Sequence, residues 1–189
     1  MKEKSNLYIF LDIDGVISTP NCIKDGMWAL DPDKQKLLGI ILDATGANIV
    51  LTSCWRKSTL EDSIKYMNDE GFMFCDKIVG ITIRGYHFLQ KGINLNIPRG
   101  VEIKQWLDTH AVYPWHAYPE RTKEYEIYDN NGKFIKMNSN KLGKDFNYVI
   151  LDDDIDMLLE HAKRFIRCDS MIGLTIEQVQ QAIEILLKK

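Results

Sequence analysis

The chain lacks any Cys-x-x-Cys pair: Cys22, Cys54, Cys75 and Cys168 stand far apart along its 189 residues. That spacing fits neither a zinc site nor a compact disulfide framework, and it predicts free thiols in a reducing, cytoplasmic setting. No apolar stretch approaches the ~18 residues of a membrane span, so no membrane association is expected. The apolar run Leu7–Leu11 is too short for the core of a secretory leader and runs into acids, which argues against export. Excess positive charge is missing as well. The formal net charge is −3, whereas a dedicated duplex DNA binder carries a strongly basic face. Repeats and low-complexity tracts are also absent.

What is present is ordinary for a globular protein, with 45% hydrophobic and 27% charged residues. The length suits one α/β domain over residues 1–189 and would crowd two. Five apolar runs have strand length: Leu7–Leu11, Asn48–Leu51, Lys77–Thr82, Tyr148–Leu151 and Phe165–Cys168. Several are apolar throughout, as parallel strands covered on both faces are. Helical signals alternate with them. Asp31-Pro32 reads as an N-cap and first helical residue, with Gly46 as the stop. Ser58-Thr59-Leu60-Glu61 and Thr175-Ile176-Glu177-Gln178 have the capping-box pattern, the first helix stopping at Gly71. Gly100–His110 and Ile155–Arg164 are shorter helical candidates. Strands alternating with helices predict a three-layer α/β/α domain around a central parallel sheet.

Residues 111–147 break the rhythm and read as an insertion rather than a second domain. Asn131-Gly132 between two alternating runs predicts a β-hairpin. Tyr113, Trp115, Tyr118, Tyr125, Tyr128 and Phe134 stand there amid Arg121, Lys123, Lys133 and Lys136. Such a mixture either forms a small hairpin core or stacks and neutralises single-stranded nucleic acid.

The chemistry concentrates at strand ends. The first strand runs into Asp12-Ile13-Asp14-Gly15, the fourth into Asp152-Asp153-Asp154-Ile155-Asp156. In a parallel sheet these ends open on one edge, where ligands bind. Acids gathered there repel unless a cation joins them, and oxygen-only donors select a hard ion such as Mg²⁺. The second strand ends in Thr52-Ser53-Cys54-Trp55-Arg56, where a hydroxyl and turn amides can cradle an anion. Cys54 does not make a cysteine phosphatase. That chemistry needs arginine six positions on, where Leu60 stands.

This order of parts resembles the four motifs of the haloacid dehalogenase (HAD) superfamily, with a Rossmannoid fold. Leu51–Arg56, Arg99–Leu107 and Tyr148–Asp154 resemble a narrower group, the HAD domains of Swiss army knife RNA-repair proteins. The resemblance implies a phosphomonoester hydrolase. Asp12 would be the nucleophile, forming an aspartyl-phosphate, and Asp14 the general acid and base. Thr52, Ser53, Arg56 and Lys141 would bind the phosphorylated substrate. Asp12, Asp152 and Asp153 would serve Mg²⁺, with Asp14 contributing its main-chain carbonyl and Asp156 standing close by. The cationic motif residue is either Arg99 or Lys141, and the Arg-Gly pair favours Arg99. Between Asp14 and Thr52 there is room for a flap and one helix, which implies little or no cap. The substrate implied is a phosphorylated one, a nucleotide or nucleic-acid end. A phosphatase of small metabolites or phosphoproteins, and a catalytically silent binding module on the same scaffold, are the alternatives. A receiver domain is excluded because no middle strand before the threonine ends in an acceptor aspartate. Oligomeric state is left open.

Overall fold

The computed structural model describes residues 6–83, 97–110, 126–128, 134–136 and 146–188. Its centre is a five-stranded parallel sheet of β1 (Leu7–Leu11), β4 (Asn48–Leu51), β5 (Ile78–Ile81), β8 (Asn147–Asp152) and β9 (Phe165–Arg167), in the order β5-β4-β1-β8-β9. The five expected apolar runs are these five strands.

Period-two alternation gives each face of the sheet its own core. Ile9, Leu11, Ile49, Leu51, Val149 and Leu151 face one way, packed with Leu38, Ile41, Met67, Val179 and Leu186. These come from α1 (Pro32–Thr45), α2 (Leu60–Asp69) and α4 (Ile176–Leu187). Tyr8, Phe10, Val50, Tyr148 and Ile150 face the other way against Ile103, Trp106 and Leu107 of α3 (Arg99–His110). Phe10 meets Trp106 edge-on at 5.3 Å and Tyr148 edge-on at 5.6 Å, the arrangement that aromatic quadrupoles favour. Three α/β/α layers result.

The caps follow the sequence closely. Asp31 accepts from the Asp33 and Lys34 amides, and Gly46 closes α1 in the left-handed region. Thr175 and Gln178 make the reciprocal capping box of α4. At α2 the cap sits one residue later than the Ser58 pattern predicts: Thr59 accepts from the Asp62 amide at 3.0 Å. Between Asp14 and α1 the chain forms the antiparallel hairpin β2 (Ser18–Lys24) and β3 (Met27–Leu30), filling the room expected for a flap.

One helix expected from sequence is absent. Within 155–164 the structure holds only a 3₁₀ turn, Leu159–His161. The backbone there serves α3 instead. The Asp156 carboxylate accepts from the Arg99 amide at 2.7 Å and its carbonyl from the Gly100 amide. A Cβ at position 100 would come within 2.4 Å of the Leu158 amide, so only glycine lets the helix approach so closely. In the insertion, β6 (Glu126–Tyr128) and β7 (Phe134–Lys136) pair antiparallel, with Ile127 opposite Ile135. The Asn131-Gly132 turn, the basic and aromatic residues of 111–125 and Lys133 lie outside the described residues. No described helix is long and apolar enough to cross a membrane.

Candidate active site

Register builds the site. Leu11 lies between Leu51 on β4 and Leu151 on β8, so the next residues form a row: Thr52, Asp12, Asp152. Bonds across the strand ends hold it, Thr52 N–H to the Leu11 carbonyl at 2.9 Å and Asp12 N–H to the Leu151 carbonyl at 3.0 Å. The chain runs from β1 to β4 on one side and places β8 on the other, making this edge a topological switch point.

Each of the two buried aspartates in the row has one oxygen tied down. Asp12 Oδ1 accepts from the Ile13 amide at 2.7 Å, and Asp152 Oδ1 from the Asp154 amide at 3.0 Å. Their Oδ2 atoms face Arg99 Nη1, each at 3.4 Å. That is longer than a charge-assisted hydrogen bond, so the attraction is Coulombic. Asp152 Oδ2, though buried, has no hydrogen-bond partner among the described residues. Asp153 completes the cluster, with one carboxylate oxygen from each of Asp12, Asp152 and Asp153 within 4.8 Å of one another. Gly15 turns the chain here at φ +70°, and a Cβ on it would strike the Asp153 carboxylate at 2.4 Å.

The electrostatics match this crowding. Burial and the neighbouring Asp12 charge push Asp152 up to about 8, against the opposing pull of Arg99. Burial and Asp12 also raise Asp153. For Arg99, burial favours the neutral form, but Asp12 and Asp152 outweigh it and hold the guanidinium above its ordinary value. Among the described residues one cation, Arg99, thus stands at a cluster of three carboxyl groups, paired with two of them. The residues fit a hard divalent ion: all donors are oxygen, one buried oxygen lacks a partner among the described residues, and added positive charge would relieve the repulsion.

Asp14 stands apart from this group. Its carboxylate takes the Trp55 indole N–H across both oxygens, at 3.1 and 3.0 Å, and the Cys54 thiol at 3.3 Å. Its side chain is therefore not a fourth member of the carboxylate cluster. Thr52 Oγ1 is buried and has no hydrogen-bond partner among the described residues, so it is available to a ligand. Ser53 is also buried, but its hydroxyl accepts from the Trp55 amide at 3.2 Å.

Arg56 is placed differently from its expected role as a substrate-binding residue. Its guanidinium is buried, donates to the Thr52 and Ser53 carbonyls and pairs with Glu102 at 2.5 Å. It braces the β4 turn against α3. The Thr82 hydroxyl joins through Glu102 at 3.4 Å. Glu102 was missed from sequence, although it lies one turn from Arg99. A buried acid in an apolar helix face was the available signal. His161, likewise missed, is fully buried. It bridges the Tyr148 hydroxyl (3.0 Å) and the Gly100 carbonyl (3.1 Å), and burial lowers its pKa. Lys141 lies outside the described residues, so only Arg99 can be placed at the carboxylates.

Against known families, residues 8–141 match the model for the HAD domain in Swiss Army Knife RNA repair proteins. The chain belongs to this family. Its matched span holds Asp12, Asp14, Thr52, Ser53, Arg56 and Arg99 and stops before Asp152 and Asp153. In this HAD domain the second acidic strand end is thus brought to the first by β1–β8 register, independently of the match. No curated protein and no solved structure matches the chain.

Proposed function

We propose that this HAD domain is a Mg²⁺-dependent phosphomonoester hydrolase that works through an aspartyl-phosphate on Asp12. The observation that carries the reading is the cluster of Asp12, Asp152 and Asp153 within 4.8 Å at the switch point, shared with Arg99. Asp12 and Asp152, helped by Asp153, would hold the metal, which when bound supplies positive charge for the transferring phosphoryl oxygens.

The chain's own residues do the rest. An Asp12 carboxylate oxygen forms a bond to phosphorus as the bond from phosphorus to the leaving oxygen breaks. Asp14, protonated, gives its proton to that leaving oxygen. Asp14 then takes a proton from water, whose oxygen attacks phosphorus, releasing phosphate and restoring the Asp12 carboxylate. The free Thr52 hydroxyl donates to a phosphoryl oxygen, and Arg99 balances the charge of Asp12 and Asp152 between turnovers.

The family's description as RNA-repair domains supports phosphorylated nucleic-acid ends or nucleotides as the substrate class. Four free thiols suit a reducing, cytoplasmic setting. The test is turnover of small phosphomonoesters and 5′- or 3′-phosphorylated oligonucleotides with and without Mg²⁺. Mg²⁺-dependent phosphate release, faster on oligonucleotide ends, is expected. Release from none of them would contradict the hydrolase reading, and preference for a small ester would contradict the substrate class.

A further inference from the structure

Asp14 is half-buried and stands three residues past the end of β1. The β4 turn supplies partners for its carboxylate. Indole nitrogen is a donor only, so the Trp55 contact commits this side of Asp14 to accepting. Its single N–H bridges both oxygens, which sets the plane of the carboxylate, and the Cys54 thiol adds a second donor at Oδ2. Oδ2 thus faces two donors and Oδ1 one, which fixes the carboxylate on the side facing the β4 turn.

Trp55 is itself held. Its amide donates to Ser53 Oγ, and its ring meets Tyr66 of α2 at 5.9 Å, with Lys57 Nζ 3.4 Å over the Tyr66 ring. A half-buried indole N–H needs an acceptor in any case; here the acceptor is both oxygens of one carboxylate from another strand end.

We infer that Trp55, seconded by Cys54, is a positioning residue that orients the Asp14 carboxylate for proton transfer to the leaving oxygen. The inference rests on the hydrolase reading and adds a residue to it. Misplacement of a catalytic group by about 1 Å can cost on the order of 10²-fold, so the effect is measurable.

The test exploits leaving groups. An alkyl phosphate needs protonation as its ester bond breaks, whereas 4-nitrophenyl phosphate expels a stable anion. Because kcat/KM covers steps only through leaving-group departure, Trp55→Phe should lower it about tenfold or more for the alkyl ester. The loss on the aryl ester should be several times smaller. Cys54→Ala should show the same pattern more weakly, and it serves alone if Trp55→Phe fails to fold by circular dichroism. Equal losses on both esters, or none on either, would overturn the positioning role while leaving the hydrolase reading intact. Wild-type protein inert toward both esters would overturn the two together.

Discussion

Two arginines flank the β4 and β1 strand ends, Arg56 buried and Arg99 half-buried, and α3 reaches both, yet they are paired in different ways. Arg56 has short bonds to Glu102 and to the Thr52 and Ser53 carbonyls. Arg99 stands 3.4 Å from two carboxylates, and its Nη1 makes no hydrogen bond to a described residue. In the first region one cation is matched by one carboxylate. The second crowds three carboxyl groups together, which drives Asp152 to keep its proton, and its Asp152 Oδ2 and Thr52 hydroxyl have no partner among the described residues. Burial alone does not mark function. A region held short of electrostatic balance is one that can gain from a ligand.

Removing one partner should separate the two regions most sharply. Glu102→Ala leaves Arg56 buried without its counter-charge and should destabilise the fold by about 3–5 kcal/mol in urea unfolding. Asp12→Asn removes the neighbouring charge that helps to raise Asp152, which can then ionise against Arg99, so without metal its stability should equal or exceed wild type. A destabilised Asp12→Asn and an unaffected Glu102→Ala would reverse the comparison.

Metal should act on one region only. Mg²⁺ that binds the folded state raises stability by about 2.7 kcal/mol at a hundred times its dissociation constant. Wild type should therefore melt higher in millimolar Mg²⁺, and Asp152→Ala should lose that gain. A wild-type melting temperature indifferent to Mg²⁺ would count against the site.

A smaller effect is the pH dependence of the metal-free protein. Asp152 is raised from 3.8 to about 8, so between those values the folded state keeps a proton that the unfolded chain releases. The unfolded state then binds fewer protons, and stability falls as pH rises. His161 slopes the opposite way only below its ordinary pKa of 6.5. Asp153 is raised as well and slopes the same way, so between about pH 6.5 and 8 the trend belongs to these two carboxyls, Asp152 foremost. Asp152→Asn should flatten it, and a slope unchanged in that variant would assign the trend elsewhere.

The sheet was legible because its strands are buried on both faces and so are apolar throughout, Ile49–Leu51 and Val149–Leu151 above all. Helix ends were legible wherever a side chain caps its own helix, as Asp31 and Thr175 do. Asp156 deceived for the opposite reason. It caps α3, 57 positions back in the chain, and its neighbours spend their backbone on that contact instead of on a helix. The acids at the strand ends were readable from spacing, but their partners were not. Arg56 looked like a ligand for phosphate until Glu102, 46 positions away, was seen to hold it. Trp55 and Asp14, 41 apart, meet only because β4 lies beside β1.

The central claim is that Asp12 becomes covalently phosphorylated. Acid-quenching wild-type protein during turnover of a phosphomonoester in Mg²⁺, then mapping peptides by mass spectrometry, tests it directly. A hydroxylamine-labile phosphoryl adduct on Asp12 is predicted, with both adduct and turnover lost in Asp12→Asn. Sustained Mg²⁺-dependent turnover in Asp12→Asn, or an adduct on another residue, would contradict the account.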